Sequence, residues 1–305
     1  MASEPSQPNY GRPWVGICWM LLTGFLFVGV TGIVRYVGSD VPAPEAAFIR
    51  YAFGTLFILP FMGTKWTQVL TGGLFGVFAL RGLCHAMGVI LWFYAMARIP
   101  IAEVTAIGYL APIYIAIGAA VFLGEKLAAR RIAAIIAAFI GAMVILRPGI
   151  QEISNGQLAQ VMAAPLFAVS YLVAKRLTAR ANPSLVVGML SIFVTIGIAP
   201  FAYAVWITPS LTEIMWLATV GVLATTGHFT MTKAIHAAPL AVTQPVTFLQ
   251  LIWATILGLV MFGEAVDFWV LLGGGIIISA VSFISYREWV LSRREKTPAA
   301  LAIKY

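Results

Sequence analysis

The sequence predicts an all-α membrane protein, with ten transmembrane helices in two inverted repeats of five and both termini in the cytoplasm. Three observations carry that prediction. Apolar residues make up 61% of the 305-residue chain and charged residues only 10%, whereas a soluble domain carries about 25% charged residues. Between the clustered charges lie apolar runs of about 20 residues, enough to cross roughly 30 Å of hydrocarbon at about 1.5 Å per residue. The basic residues, finally, fall almost wholly on one side of the spans so defined.

Residues 1–13 (MASEPSQPNYGRP) form a short polar leader. The apolar run that follows from Trp14 is too long for a signal-peptide core and lacks a small-residue cleavage site, so it is expected to stay as the first helix. Ten spans are expected, at 14–35, 45–63, 73–97, 103–123, 129–146, 157–175, 184–206, 212–232, 240–262 and 268–288. Short breaks separate them, among them "GSDVPAPE", "GTKWTQ", "RPGIQEISNG" and "ITPSLTE". Gly, Pro, Asn and charge punctuate each break. The chain divides accordingly into a first half over 14–147, a second over 157–289, and a basic cytoplasmic tail over 290–305.

Charge then orients the count. With the N-terminus inside, fourteen basic residues lie on the cytoplasmic side: Arg12, Lys65, Lys126, Arg130, Arg131, Lys175, Arg176, Arg180, Lys233, Arg287, Arg293, Arg294, Lys296 and Lys304. Three (Arg35, Arg98 and Arg147) lie opposite, while Arg50 and Arg81 fall within spans. Shifting the count by one helix would scramble this positive-inside bias. The same flanking charge explains the net +8 more simply than a nucleic-acid partner, for which no reading module appears. Cys18 and Cys84 both fall in apolar spans, so they are not read as a disulfide framework.

An internal repeat supports the division into halves. "AMARIPIAEVTAIGYLAPIYIAIGAAVFLGE" from Ala95 and "AIHAAPLAVTQPVTFLQLIWATILGLVMFGE" from Ala234 coincide at a constant offset of 139 in nine of 31 positions, including Pro100/Pro239 and Gly124-Glu125/Gly263-Glu264. That offset spans five helices. Five is odd, so the second copy lies upside down relative to the first, the architecture of many secondary transporters.

The quoted segments, with "FYAMARIPIAEVTAIGYLAPI", "FLGEKLAARR", "ILRPG", "GHFTMTKAIHAAP" and a terminal "SYRE", resemble an EamA-type member of the drug/metabolite transporter superfamily over nearly the whole chain. The resemblance implies a bacterial inner-membrane carrier of small metabolites. Amino-acid exporters, aromatic ones included, are among the best-known members. Others carry riboflavin, S-adenosylmethionine and further solutes, so substrate identity does not follow from the fold.

Candidate substrate-binding residues come from the few polar groups at depth. His85, mid-way along the third span, is an intramembrane ionisable residue of the kind that faces a bundle interior or hydrated cavity. The competing reading is a neutral histidine hydrogen-bonded to a neighbouring helix. Arg81 lies one turn away, either snorkelling to the interface or meeting a substrate carboxylate at the cavity floor. Arg50, just over one turn into the second span, is read as snorkelling. Trp92, Tyr94, Tyr109, Tyr171, Gln250 and Trp253 would supply flat walls and polar groups for an amphipathic metabolite, with His228 and Thr225 as weaker candidates. Trp14, Trp206, Trp269, Trp289 and in part Tyr94 fit an interfacial aromatic belt instead. Pro112, Pro165 and Pro245 sit inside spans four, six and nine as candidate hinges. The Gly-Glu pairs at 124–125 and 263–264 are expected to end spans four and nine.

All eleven carboxylates fall in tails, loops or span ends, so no buried acid is available as a proton relay. Uniport or exchange is expected. No P-loop points to ATP use, and His85, His228 and His236 show no spacing for a metal or a catalytic constellation. An enzyme is therefore disfavoured, with no cofactor and no metal expected. The partners expected are the lipid bilayer and a small-molecule substrate. Amino-acid export leads, and import of a larger solute such as riboflavin or S-adenosylmethionine is the alternative.

Overall fold

A computed structural model describes residues 13–62, 73–123, 128–178, 183–238 and 240–294. The leader up to residue 12, the Gly124-Glu125 pair and the tail from 295 lie outside the described residues. Twelve helices follow in order: α1 Pro13–Val37, α2 Ala43–Met62, α3 Phe75–Met96, α4 Ile101–Gly108, α5 Ala111–Leu123, α6 Ala129–Leu146, α7 Asn155–Thr178, α8 Pro183–Ala204, α9 Leu211–Ala237, α10 Leu240–Thr247, α11 Leu249–Phe262 and α12 Phe268–Arg294. No strand occurs among the described residues. Among the described residues, ten segments are long and apolar enough to cross a membrane. Spans 1–3 are α1–α3, span 4 joins α4 to α5, spans 5–8 are α6–α9, span 9 joins α10 to α11, and span 10 is α12.

Spans 4 and 9 are broken where continuous helices are expected. The first break falls at Tyr109-Leu110, between α4 and α5, and the second at Phe248, between α10 and α11. These are equivalent positions: Tyr109 and Phe248 are 139 residues apart, and their rings meet edge to face at 5.2 Å. Pro112 has no N–H to offer the Gly108 carbonyl, so the chain tightens into three-residue bonds, Tyr109 N–H to Ala106 and Leu110 N–H to Ile107. Phe248 N–H bonds Pro245 in the same way. Pro112 and Pro245 thus sit at the breaks, whereas Pro165 lies inside an uninterrupted α7. Span 10 also continues to Arg294, so the basic tail begins within a helix.

The halves interleave rather than forming two separate bundles. Span 1 packs on 8, 8 on 2, 2 on 7, 7 on 3, 3 on 6, 6 on 4, 4 on 9, and 9 back on 1. This closes a ring of eight spans that alternates strictly between first and second half. Spans 5 and 10 pair with each other outside the ring, against spans 4 and 9. Adding five to each span number carries every one of these pairings onto itself or another, as an internal pseudo-twofold requires.

Small residues let the backbones approach, the usual means of helix association where lipid removes the hydrophobic driving force. Where spans 5 and 10 cross, a Cβ on Gly141 would stand 2.7 Å from the Gly273 carbonyl oxygen, and one on Gly273 would collide with the Gly141 carbonyl. Neither neighbour is a side chain that can turn away. Gly273→Leu is therefore expected to cost at least the roughly 1–3 kcal/mol of overpacking. It would lower the melting temperature of the purified protein by several degrees or prevent its recovery as a monodisperse peak.

Candidate functional site

A cavity of about 300 Å³ lies inside the ring, lined by spans 1, 2, 3, 4, 6, 8 and 9. Its walls combine aromatic faces (Phe27, Tyr51, Trp92, Phe167) with a few polar groups: Arg50, His85, Tyr109, Gln160, His228 and Gln250. That mixture suits a flat amphipathic ligand. Among the described lining residues Arg50 carries the only fixed charge, and none is Asp or Glu.

The sequence candidates divide on inspection. His85, Trp92, Tyr109, Tyr171, His228 and Gln250 all line the cavity. His85 is held on three sides. Its Nδ1 lies 3.2 Å from Ser170 Oγ on span 6, the Phe167 ring stands edge-on at 5.0 Å, and the His228 ring centre is 6.5 Å away. His85 thus contacts a neighbouring helix and also fronts the cavity. The Tyr109 hydroxyl donates to the Thr247 carbonyl at 3.3 Å across the two broken spans, so each break anchors the other.

Arg81 neither snorkels nor reaches the cavity. It is buried, and it donates to the Val186 carbonyl at 2.9 Å, tying span 3 to span 7. Trp253 also departs from expectation. One turn beyond Gln250 on α11, it meets the Phe25 ring at 5.3 Å, and both residues are exposed on the lipid side of the seam between spans 1 and 9. Thr225 packs against Gly54 outside the cavity lining.

Arg50 is the reverse case. Read from sequence as a snorkelling residue, it is 7% exposed, and its guanidinium lies over the Tyr51 ring at 3.8 Å, facing the cavity. The signal was available: it stands in the eighth position of α2, beside a tyrosine, nearly two turns from the helix start. Gln160 was also missed. With Gln157 it forms an i, i+3 pair of amides on one face of an otherwise apolar span, and both are buried.

The carboxylates have a role of their own, at the face opposite the N-terminus. Glu264 Oε1 forms an ion pair with Arg35 Nε at 2.9 Å, and Glu264 Oε2 accepts from the Ile101 N–H at 2.9 Å, while Arg35 donates to the Met96 carbonyl. One ion pair thus binds the ends of spans 1, 3, 4 and 9. Gly263, in a left-handed conformation at φ 62°, ends α11 and turns Glu264 back into this contact. Glu45 accepts from the Ile207 N–H at 2.9 Å, Glu103 from Gln157 Nε2 at 2.6 Å, and Asp267 pairs with Arg147. These ties join spans 2 to 7, 4 to 6 and 5 to 10. Each is a packed pair in the fold, and together they latch the span ends to one another at that face.

Comparison with known proteins bears on what this assembly does. The model of the EamA-like transporter family matches the chain twice, over residues 14–147 and 154–286. A riboflavin transporter of Rhizobium johnstonii is 32% identical over 302 residues, spanning 98% of this chain and 97% of its own. A riboflavin transporter of Vibrio cholerae is 30% identical over 294 residues, 94% and 98% of the two chains. An S-adenosylmethionine uptake transporter of Rickettsia bellii is 28% identical over 274 residues, 90% and 94%.

Proposed function

The chain belongs to the EamA-like transporter family, and from that premise we propose that it takes up riboflavin, or a flat heteroaromatic solute of the same kind, across the bacterial inner membrane. It is a membrane transporter; the substrate is the proposal. The observation that carries it is the charge of the cavity, with one guanidinium and no described carboxylate among the lining residues. S-adenosylmethionine brings a sulfonium, an ammonium and one carboxylate; the carboxylate can pair with Arg50, but the two cationic groups meet no carboxylate among the described lining residues, a costly arrangement at low dielectric. A free amino acid could pair its carboxylate with Arg50, but its ammonium would find no carboxylate among the described lining residues; with two riboflavin transporters among the relatives, the amino-acid export expected from the sequence gives way to the alternative. Riboflavin is uncharged. Its ring system offers carbonyl acceptors to Arg50 and faces to the surrounding aromatics, and its polyol tail offers hydroxyls to groups such as Gln250.

Transport then follows by alternating access. In this cycle the latch holds its face closed in one state, and the pseudo-twofold supplies an equivalent closure at the other face in the next. The breaks at Tyr109 and Phe248 are where spans 4 and 9 bend between the two states. With the N-terminus cytoplasmic, the orientation the charge bias supports, the latched face is the outer one.

Proteoliposome flux tests the reading. Labelled riboflavin is expected to enter saturably, with S-adenosylmethionine and tryptophan at least tenfold slower. Saturable flux of either with riboflavin inert would overturn it. Riboflavin flux is further expected to be the same with and without an imposed pH gradient, because no carboxylate stands among the described lining residues to carry a proton across; dependence on the gradient would contradict the uncoupled mechanism.

A further inference from the structure

Gln160 is 2% exposed and lines the cavity, yet one of its two polar atoms has no partner. Its Nε2 donates to the Val104 carbonyl at 3.0 Å. Only the nitrogen end of an amide can donate to a carbonyl, so this bond fixes which end is left over. Oε1 remains, a buried acceptor without a donor. Gly108 makes room for the amide: a Cβ there would come within 3.2 Å of Nε2. The side chain is thus held from span 4, beside the break that Pro112 creates, and its orientation is set before any substrate arrives. Buried acceptors are rarely left bare, and one on a residue that lines a binding cavity is completed when a ligand supplies the hydrogen.

We infer that Gln160 Oε1 is the acceptor for the ring imide N–H of the substrate and so sets specificity within the flavin class. The inference rests on the flavin reading of the cavity. An imide edge presents a carbonyl, an N–H and a second carbonyl in a row. Arg50 donates only and matches the carbonyls; Gln160 Oε1 accepts only and matches the N–H. A site built to hydrogen-bond a donor rejects the analogue that lacks it, because its own acceptor is then left unpaired. The amide is locked by Val104 and cannot turn its nitrogen inward without losing that bond.

The test compares riboflavin with 3-methylriboflavin, in which a methyl replaces the imide hydrogen, by flavin fluorescence quenching on the purified full-length protein. The unmodified protein is expected to bind riboflavin at least tenfold more tightly. Gln160→Met is expected to reduce that ratio to about one, by losing affinity for riboflavin while keeping its affinity for the methyl analogue. Because both ligands are measured on one variant, the ratio is insensitive to how much of it is folded. Should Gln160→Met bind neither flavin, Gln160→Asn, which keeps an amide but withdraws it by one methylene, carries the same comparison. A tenfold ratio that survives the substitution, or its absence in the unmodified protein, overturns the role of Gln160 while leaving flavin transport standing. Failure of the unmodified protein to bind either flavin overturns the substrate reading itself.

Discussion

Replacing Arg50 by methionine is expected to weaken riboflavin binding by about ten- to a hundredfold. Hydrogen bonds to a charged group contribute about 1.5–3 kcal/mol, and each 1.4 kcal/mol is about tenfold in affinity. Methionine retains much of the stem's length and apolar volume, so the loss should fall on binding rather than folding; titration and thermal melting of the same variant separate the two. The substitution also carries a test of sign. Removing the only fixed charge among the described lining residues relieves the repulsion that the net positive charge of S-adenosylmethionine meets, so the discrimination between riboflavin and S-adenosylmethionine should shrink. Arg50→Lys is not a silent control, because an ammonium cannot reproduce the planar guanidinium that lies over Tyr51. A variant that binds riboflavin as tightly as the parent would remove Arg50 from the site.

Breaking the latch should act on the conformational equilibrium instead. Glu264→Ala removes both the partner of Arg35 and the acceptor of the Ile101 N–H. Leaving such groups unpaired costs roughly 1–3 kcal/mol, and the cost falls only on the state in which that face is closed. The population open at that face should therefore rise about five- to a hundredfold. A thiol at Thr31, which lines the cavity on span 1, would then react faster with an impermeant reagent added from the latched side in Thr31→Cys with Glu264→Ala than in Thr31→Cys alone. Substrate turnover should fall with it, since a carrier that dwells open on one side cycles slowly. Arg35→Leu together with Glu264→Leu should restore part of the closure, because apolar packing can replace a buried ion pair at little cost. Unchanged labelling in Glu264→Ala would mean that the contact closes nothing.

Much of the fold was legible in the chain because lipid imposes strong rules. Hydrophobic length gave the ten spans, and the odd number of helices between the fragments at Ala95 and Ala234 fixed their inversion. The interleaving of the halves was not legible. It depends on which helix faces approach, and those faces are set by single glycines such as Gly141 and Gly273, which look like any others in an apolar run. The breaks in spans 4 and 9 were half legible. Pro112 and Pro245 were visible, but Pro165 carries the same signal inside a helix that runs on unbroken, because proline weakens a helix without dictating that it ends.

The site divided along a similar line. His85 stood out because an ionisable group at mid-span is rarely tolerated unless it turns to the bundle interior or to water. Arg50 and Arg81 could not be ranked from depth alone, since both are long enough to snorkel. What separates them is a backbone acceptor: Arg81 finds the Val186 carbonyl, while Arg50 faces Tyr51 and the cavity. Trp253 was misplaced because helical spacing puts it near Gln250, while the ring of Phe25 on span 1 draws it to the outer seam. The latch was legible only as a scatter of carboxylates at span ends. Their partners, among them the N–H groups of Ile101 and Ile207, come from distant parts of the chain.

Everything rests on a passage that runs inside the ring of eight spans and not along its lipid face. Two positions on α11 test this most directly, on a background in which Cys18 and Cys84 are replaced by alanine. Gln250 lines the cavity, and Ile252, about 200° round the same helix, is 54% exposed on the outer surface. Gln250→Cys in membranes is predicted to react with a water-soluble, impermeant thiol reagent and to be protected by riboflavin, while Ile252→Cys stays unreactive in lipid. Reaction at position 252 with position 250 inert, with and without riboflavin, would contradict a passage through the ring.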